Sequence, residues 1–114
     1  MSDDCLFCRM SADEMAVEKL HEDDLCFAIR DINPRAPTHL LIVPHEHIAS
    51  ARDLRDEHAG LLAGMISVAN RLADGAGIGE PGFRLVFNVG AEGGQTIYHI
   101  HLHLLGGRRL GAEG

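Results

Sequence analysis

Apolar and polar positions along the 114-residue chain change period several times, and each change predicts an element. Residues 16–23 (AVEKLHED) and 24–32 (DLCFAIRDI) read as two strands around a turn at Glu22, Asp23 and Asp24, with Leu25, Phe27 and Ile29 sharing one face. Residues 33–37, with two prolines in five positions, form a loop. Residues 38–44 (THLLIVP) are almost all apolar and rich in branched side chains, which predicts a central buried strand. Over residues 54–77 the period changes: Leu61, Leu62, Met65, Val68, Ala69 and Leu72 follow helical spacing, and Gly75 and Gly77 end the pattern. Residues 82–90 and 97–105 alternate again as strands, with a glycine-bearing loop at 91–96 between them, and residues 5–15 suggest a short turn or helix. Most of the links between strands are too short for parallel crossovers, which take a dozen or more residues. The expectation is therefore an α+β fold, a mainly antiparallel sheet with one substantial helix, as a single domain over residues 1–114.

Composition removes several functions. The net charge of −7 disfavours a nucleic-acid partner, and the scarcity of aromatics, with no Trp, disfavours a base-stacking platform. A small phosphate ester remains compatible, because backbone N–H groups and imidazoles can bind it in one local pocket. The first ten residues are acidic and have no apolar leader core, and no run is long enough to span a membrane. Three cysteines, an odd number, with no export signal point to a cytoplasmic, reducing location.

The chemistry concentrates at residues 98–107, YHIHLHLLGG, where His99, His101 and His103 alternate with Ile100, Leu102 and Leu104. In a strand they would form a row roughly 13 Å long on one face, with the apolar residues facing the core. Such a row suits a solvated face, a set of metal ligands or phosphoryl chemistry. A neutral imidazole can attack phosphorus while a neighbour donates to the phosphate oxygens. Three ligands to one tetrahedral ion fit poorly, because alternate residues on a strand diverge. Just upstream, Asn88 offers an amide, Gly93 and Gly94 offer backbone N–H groups and Thr96 a hydroxyl. By itself that loop could be only a hairpin turn. Feeding directly into a histidine row, it suggests a phosphate seat beside a nucleophile.

These residues resemble a known family. HIHLHLL is the pattern of the histidine-triad (HIT) family, and GGQTIYHIHLHLLGG is similar to its Hint branch, the purine nucleoside phosphoramidases. CLFCRM resembles the family's opening and DINPRAPTHLLIVPHEHI its second block. The resemblance implies an antiparallel sheet with one long and one short helix in a two-fold dimer. It also implies roles. His101 matches the nucleophile, His103 a phosphate contact and His99 the residue that orients the others; Asn88, Gly94, Gln95 and Thr96 belong to the phosphate and leaving-group loop. Asp31 matches the ribose carboxylate, Leu6, Phe7, Ile29 and Ile32 the walls around the base, and His39 a histidine packed near the triad. The implied reaction is hydrolysis of a purine nucleoside phosphoramidate through a nucleotidyl-histidine. Cleavage of dinucleoside polyphosphates, and a zinc-stabilised nucleotide-binding module with little turnover, are the alternatives.

Cys5 and Cys8 have the C-x2-C spacing of a zinc half-site, which also occurs in redox pairs and by chance. In several HIT branches zinc is held by this pair, by the histidine that closes the second block and by the first triad histidine. The matching set here is Cys5, Cys8, His47 and His99, as a structural site with no open position. Cys26 reads as a buried small hydrophobe, and His21 and His58 as surface residues. One departure concerns the end of the chain: past LLGGRR it lacks the Trp-Pro-Pro-Gly ending usual in the Hint branch, which bears on leaving-group preference.

Overall fold

The computed structural model describes residues 4–113. The first three residues of the N-terminal stretch read above for a leader, and residue 114, lie outside them. The elements are α1 (Leu6–Ser11), β1 (His21–Glu22), β2 (Cys26–Arg30), β3 (Thr38–Pro44), α2 (Ala59–Gly75), β4 (Phe83–Val86) and β5 (Leu102–Gly106). All neighbouring strands are antiparallel, in the order β1-β2-β3-β5-β4. The α+β expectation holds. The long connection through α2 carries the chain past the central strand, and β5 then inserts between β3 and β4.

Alternation sorts the strand residues onto two covered faces. Cys26, Ala28, Leu40, Ile42, Leu102 and Leu104 pack against Leu61, Met65, Val68, Ala69 and Ala73 of α2. Phe27, Ile29, Leu41 and Val43 meet Phe7 and Met10 of α1. α1 is too short to persist alone, and burial of these two side chains, three residues apart, holds it. The end of α2 follows a Schellman pattern: Gly77, at φ 77°, donates to Asp74 O at 3.1 Å and Ile78 to Ala73 O at 3.0 Å.

Four boundaries differ from expectation. The first strand shrinks to two residues, because residues 16–19 leave the sheet toward α1; there Lys19 reaches Asp13 at 2.8 Å and lies over the Phe27 ring. The helix begins at Ala59 after two short 3-10 turns, since Ser50 Oγ and His58 Nδ1 accept the N–H groups of Arg52 and Arg55 and interrupt the ladder. β4 stops at Val86 because the chain opposite it has left the sheet. Most consequential, β5 starts only at Leu102. Residues 97–101 bend across the end of β3, where Ile100 N donates to Ile48 O at 2.6 Å and His99 Nε2 to Pro44 O at 2.8 Å. Only His103 of the triad lies on a strand.

Candidate active site

That bend sends the three histidines into different surroundings. His103, on β5, faces the α1 side of the sheet opposite Leu41 and Val86. His101 is half-buried, 5.0 Å ring to ring from His103 and edge-on to Phe7 at 5.1 Å. His99 is fully buried behind them, against the other edge of Phe7 and within reach of both cysteines.

Hydrogen bonds to the backbone assign the ring protons. A carbonyl oxygen only accepts, so His101 donates Nδ1–H to His99 O at 2.8 Å. In the neutral ring Nε2 then carries the lone pair, on the edge away from that carbonyl. A backbone N–H only donates, so Arg35 N at 3.1 Å makes His39 Nδ1 an acceptor and leaves the proton on Nε2. That proton is shared between His103 Nδ1 at 2.9 Å and Asp31 Oδ2 at 3.3 Å. His103 in turn carries its proton on Nε2. Burial, followed by the neighbouring His101 and His39 rings, pushes His103 down to about 4, so it stays neutral as a donor. Burial also lowers His39, with Asp31 opposing the shift.

The pocket in front of these rings is lined by Leu6, Phe7, Ile29, Asp31, Ile32, Asn88, Gly94, Thr96, His101 and His103, all read from the sequence as site residues. Ile32 is 92% exposed and forms rim rather than wall. Asp31 Oδ1 accepts from Asn33 N at 2.8 Å, which fixes its carboxylate at the pocket edge. Met10, Arg35 and Leu41 also line the pocket and were not read from the sequence. Met10 is signalled by its three-residue spacing from Phe7 and Leu41 by its alternation with His39; Arg35 carries no local signal.

Two readings of the loop require correction. Gln95 does not reach the pocket: it is 6% exposed, its Nε2 donates to Ala49 O and Ile97 O, and its Oε1 accepts from Gly90 N. It holds the loop in shape. The Gly93 and Gly94 N–H groups are spent inside the same turns, on Gly90 O and Ala91 O, so they do not face an anion. Glycine is needed there for other reasons: a Cβ on Gly93 would lie 2.4 Å from Val89 O, and Gly94 has φ 87°. Of the phosphate contacts read from the sequence, Asn88, Thr96 and His103 keep polar side chains on the pocket. His99 also stands outside the pocket, and its carbonyl accepts from His101, which lines it.

Behind the triad, Cys5, Cys8, His47 and His99 bring four donor atoms within 4.8 Å of one another. Sγ of Cys5 lies 3.2 Å from His99 Nδ1, Sγ of Cys8 3.3 Å from His47 Nδ1, and the two Nδ1 atoms are 3.1 Å apart. A tetrahedral ion with ordinary Zn–N and Zn–S lengths separates its ligands by about 3.3 Å for N···N and about 3.5 Å for N···S. Donation to Pro44 O leaves His99 Nδ1 as a bare lone pair, and burial pushes this ring down to about 4, keeping it neutral. Burial and the adjacent Cys5 thiol push Cys8 up to about 11, a penalty that a cation between them would reverse. The donor set fits and can hold a metal ion. His45 takes no part; it ties Ser11 Oγ to Asp23 O. His21 and His58 are not simply solvated, being bonded to Asp23 and Glu46, and Cys26 is buried as expected.

Comparison with known proteins identifies the family and the fold. Residues 4–111 match the family model described as scavenger mRNA decapping enzyme C-term binding. The chain is 45% identical over 111 residues to the purine nucleoside phosphoramidase of Escherichia coli K12, covering 97% of this chain and 93% of that protein. A HIT family hydrolase from Legionella pneumophila superposes with a TM-score of 0.91 at 51% identity, covering 93% of this chain and 95% of that one. A second, from Clostridium thermocellum, gives 0.93 at 41% identity, covering 97% and 96%. The chain belongs to the histidine-triad family and is one of its nucleotide hydrolases.

Proposed function

We propose that the protein hydrolyses purine nucleoside phosphoramidates through a nucleotidyl-histidine on His101. The observation that carries this is the tautomer assignment: Nδ1–H of His101 is held by the His99 carbonyl, which leaves Nε2 as the free nitrogen of a ring that lines the pocket. The base lies between Leu6, Phe7, Ile29 and Ile32, and Asp31 accepts from the ribose hydroxyls. His103 Nε2–H, the Asn88 amide and Thr96 donate to the phosphate oxygens, where charge builds up. Nε2 of His101 bonds to phosphorus, the P–N bond breaks, and the amine leaves with the bonding pair and one proton from solvent. Water then attacks phosphorus, releases the nucleoside monophosphate and returns His101 with a proton to solvent. His39 is a positioning residue that keeps His103 in its donor tautomer.

Zinc is the metal suited to two thiolates and two imidazoles, and Cys5, Cys8, His47 and His99 would hold it. Bound there, it would add folding stability and charge compensation. The chemical step belongs to the histidines. The working protein is a cytoplasmic homodimer in this reading, in line with the reduced cysteines and the resemblance to the Hint branch. A steady-state assay with a fluorogenic AMP amidate tests the function. Wild type should turn it over, and His101→Ala should be slower by on the order of 10⁴-fold while still binding AMP. Tight AMP binding without turnover in wild type would instead favour a binding module.

A further inference from the structure

A second pocket adjoins the first across Arg35, Asn88 and His103, which line both. His101 lines only the first. The sheet register explains the arrangement. Val86 lies opposite His103 and Arg84 opposite Leu105, so Arg84 shares a face of β4 with Val86 and sits one strand pair along from His103, while Asn88, just past the end of β4, borders both pockets. Arg84 lines the second pocket and not the first. Displacement at phosphorus is in line, so the leaving group departs on the side away from His101 Nε2. His103 and Asn88, the phosphate donors of the reading above, are shared with the second pocket, and His101 is not, which makes the second pocket the space open to a departing group.

The charge of this pocket runs against the charge of the protein. The chain as a whole carries −7, yet four of its ten Lys and Arg residues, Arg35, Arg84, Arg108 and Arg109, gather at this end. Arg35 makes no ion pair among the described residues, although Arg30 and Arg84 do. Arg84 already holds anionic and carbonyl oxygens of the chain's own tail: Nη2 donates to Gly111 O and pairs with the Glu113 carboxylate at 3.5 Å. The Glu113 side chain is 84% exposed and among the described residues is bonded only to Arg84, so a competing anion can displace it. Val86 and Leu105 supply an apolar floor for a short linker.

We infer that the second pocket binds an anionic leaving group, an amine that carries a carboxylate or phosphate, through Arg35 and Arg84. The inference rests on the phosphoramidase reading above and specifies which amines that reaction releases. Carboxylate and phosphate share the chemistry that two guanidiniums recognise, and matched substrates separate them.

The test compares adenosine 5′-phosphoramidates of β-alanine, phosphoethanolamine and 3-aminopropanol, whose amines have similar length and basicity, on the full chain. At least one anionic conjugate should exceed the neutral one in kcat/KM by about tenfold, the value of one partly exposed charge-assisted contact. Whichever anion shows the preference identifies the source. The preference should fade in high salt, fall to near one in Arg84→Gln and in Arg35→Gln/Arg84→Gln, and persist in part in Arg84→Lys. Equal kcat/KM for all three conjugates in wild type, or a preference that survives in the double variant, overturns the inference and leaves the phosphoramidase reading intact. Failure of wild type to cleave any of them overturns both.

Discussion

On one side of His101, Cys5, Cys8, His47 and His99 turn four donor atoms toward a common centre, with the His99 proton already committed to Pro44 O. On the other, Arg35 N–H, His39 and His103 form a chain in which every proton is assigned and the last one rests on His103 Nε2. The first arrangement is a donor set that suits a cation, and the second is a hydrogen-bonded chain satisfied by the fold alone. Both act on His101, the cluster through the His99 carbonyl and the chain through the neighbouring His103 ring. Stability should therefore depend mainly on the cluster and turnover mainly on the chain.

Breaking the cluster should have the larger effect on stability. Cys8→Ser or His47→Ala should lose the bound zinc and lower Tm by about 10–20 °C in zinc-containing buffer, because the metal binds only the folded state. Chelator should bring wild type down to the variants. Metal content by elemental analysis beside calorimetry checks this, and a wild type that is metal-free and indifferent to chelator would contradict it. Breaking the chain should act on rate instead. His39→Ala should lower kcat by about 10–100-fold with little change in KM, because His103 loses the bond that fixes its tautomer. A fall confined to KM would assign His39 to binding.

The smallest effect sharpens the comparison through pH. His103 sits at about 4 in the folded chain against 6.5 for a free imidazole, so the unfolded chain takes up the proton first. Stability is lost as pH falls from about 6.5 toward 4. Between pH 7 and 5 this one ring should cost about 1–2 kcal/mol. Urea unfolding at both pH values should show that loss in wild type and a correspondingly smaller one in His103→Gln.

What the sequence discloses divides along the same line. α2 and β3 are legible because Leu61, Met65, Val68 and Ala69, and the run from Leu40 to Val43, obey one period over their whole length. The path of residues 97–101 is not, since alternation of His and apolar residues looks the same in a strand and in a bend. Two bonds to residues far away in sequence, at Pro44 and Ile48, decide between them. The inward turn of Gln95 and the Arg35–His39–His103 chain are hidden for the same reason: each depends on groups brought together by β3, β5 and the loops between. The cluster members are visible as residue types and, through the family resemblance, as a set that already takes His47; the physical reason, that His45 turns away to Ser11 and Asp23, is a matter of direction in space.

The central claim is that His101 Nε2 is the nucleophile, and trapping its adduct tests it directly. Wild type mixed with a labelled adenosine phosphoramidate and quenched in alkali within milliseconds should hold label that is stable in base and lost in acid, as a phosphorus–nitrogen bond requires. After digestion the label should map to His101, and His101→Ala should hold none. Label on His99 or His103, or turnover by His101→Ala within about tenfold of wild type, would contradict the account.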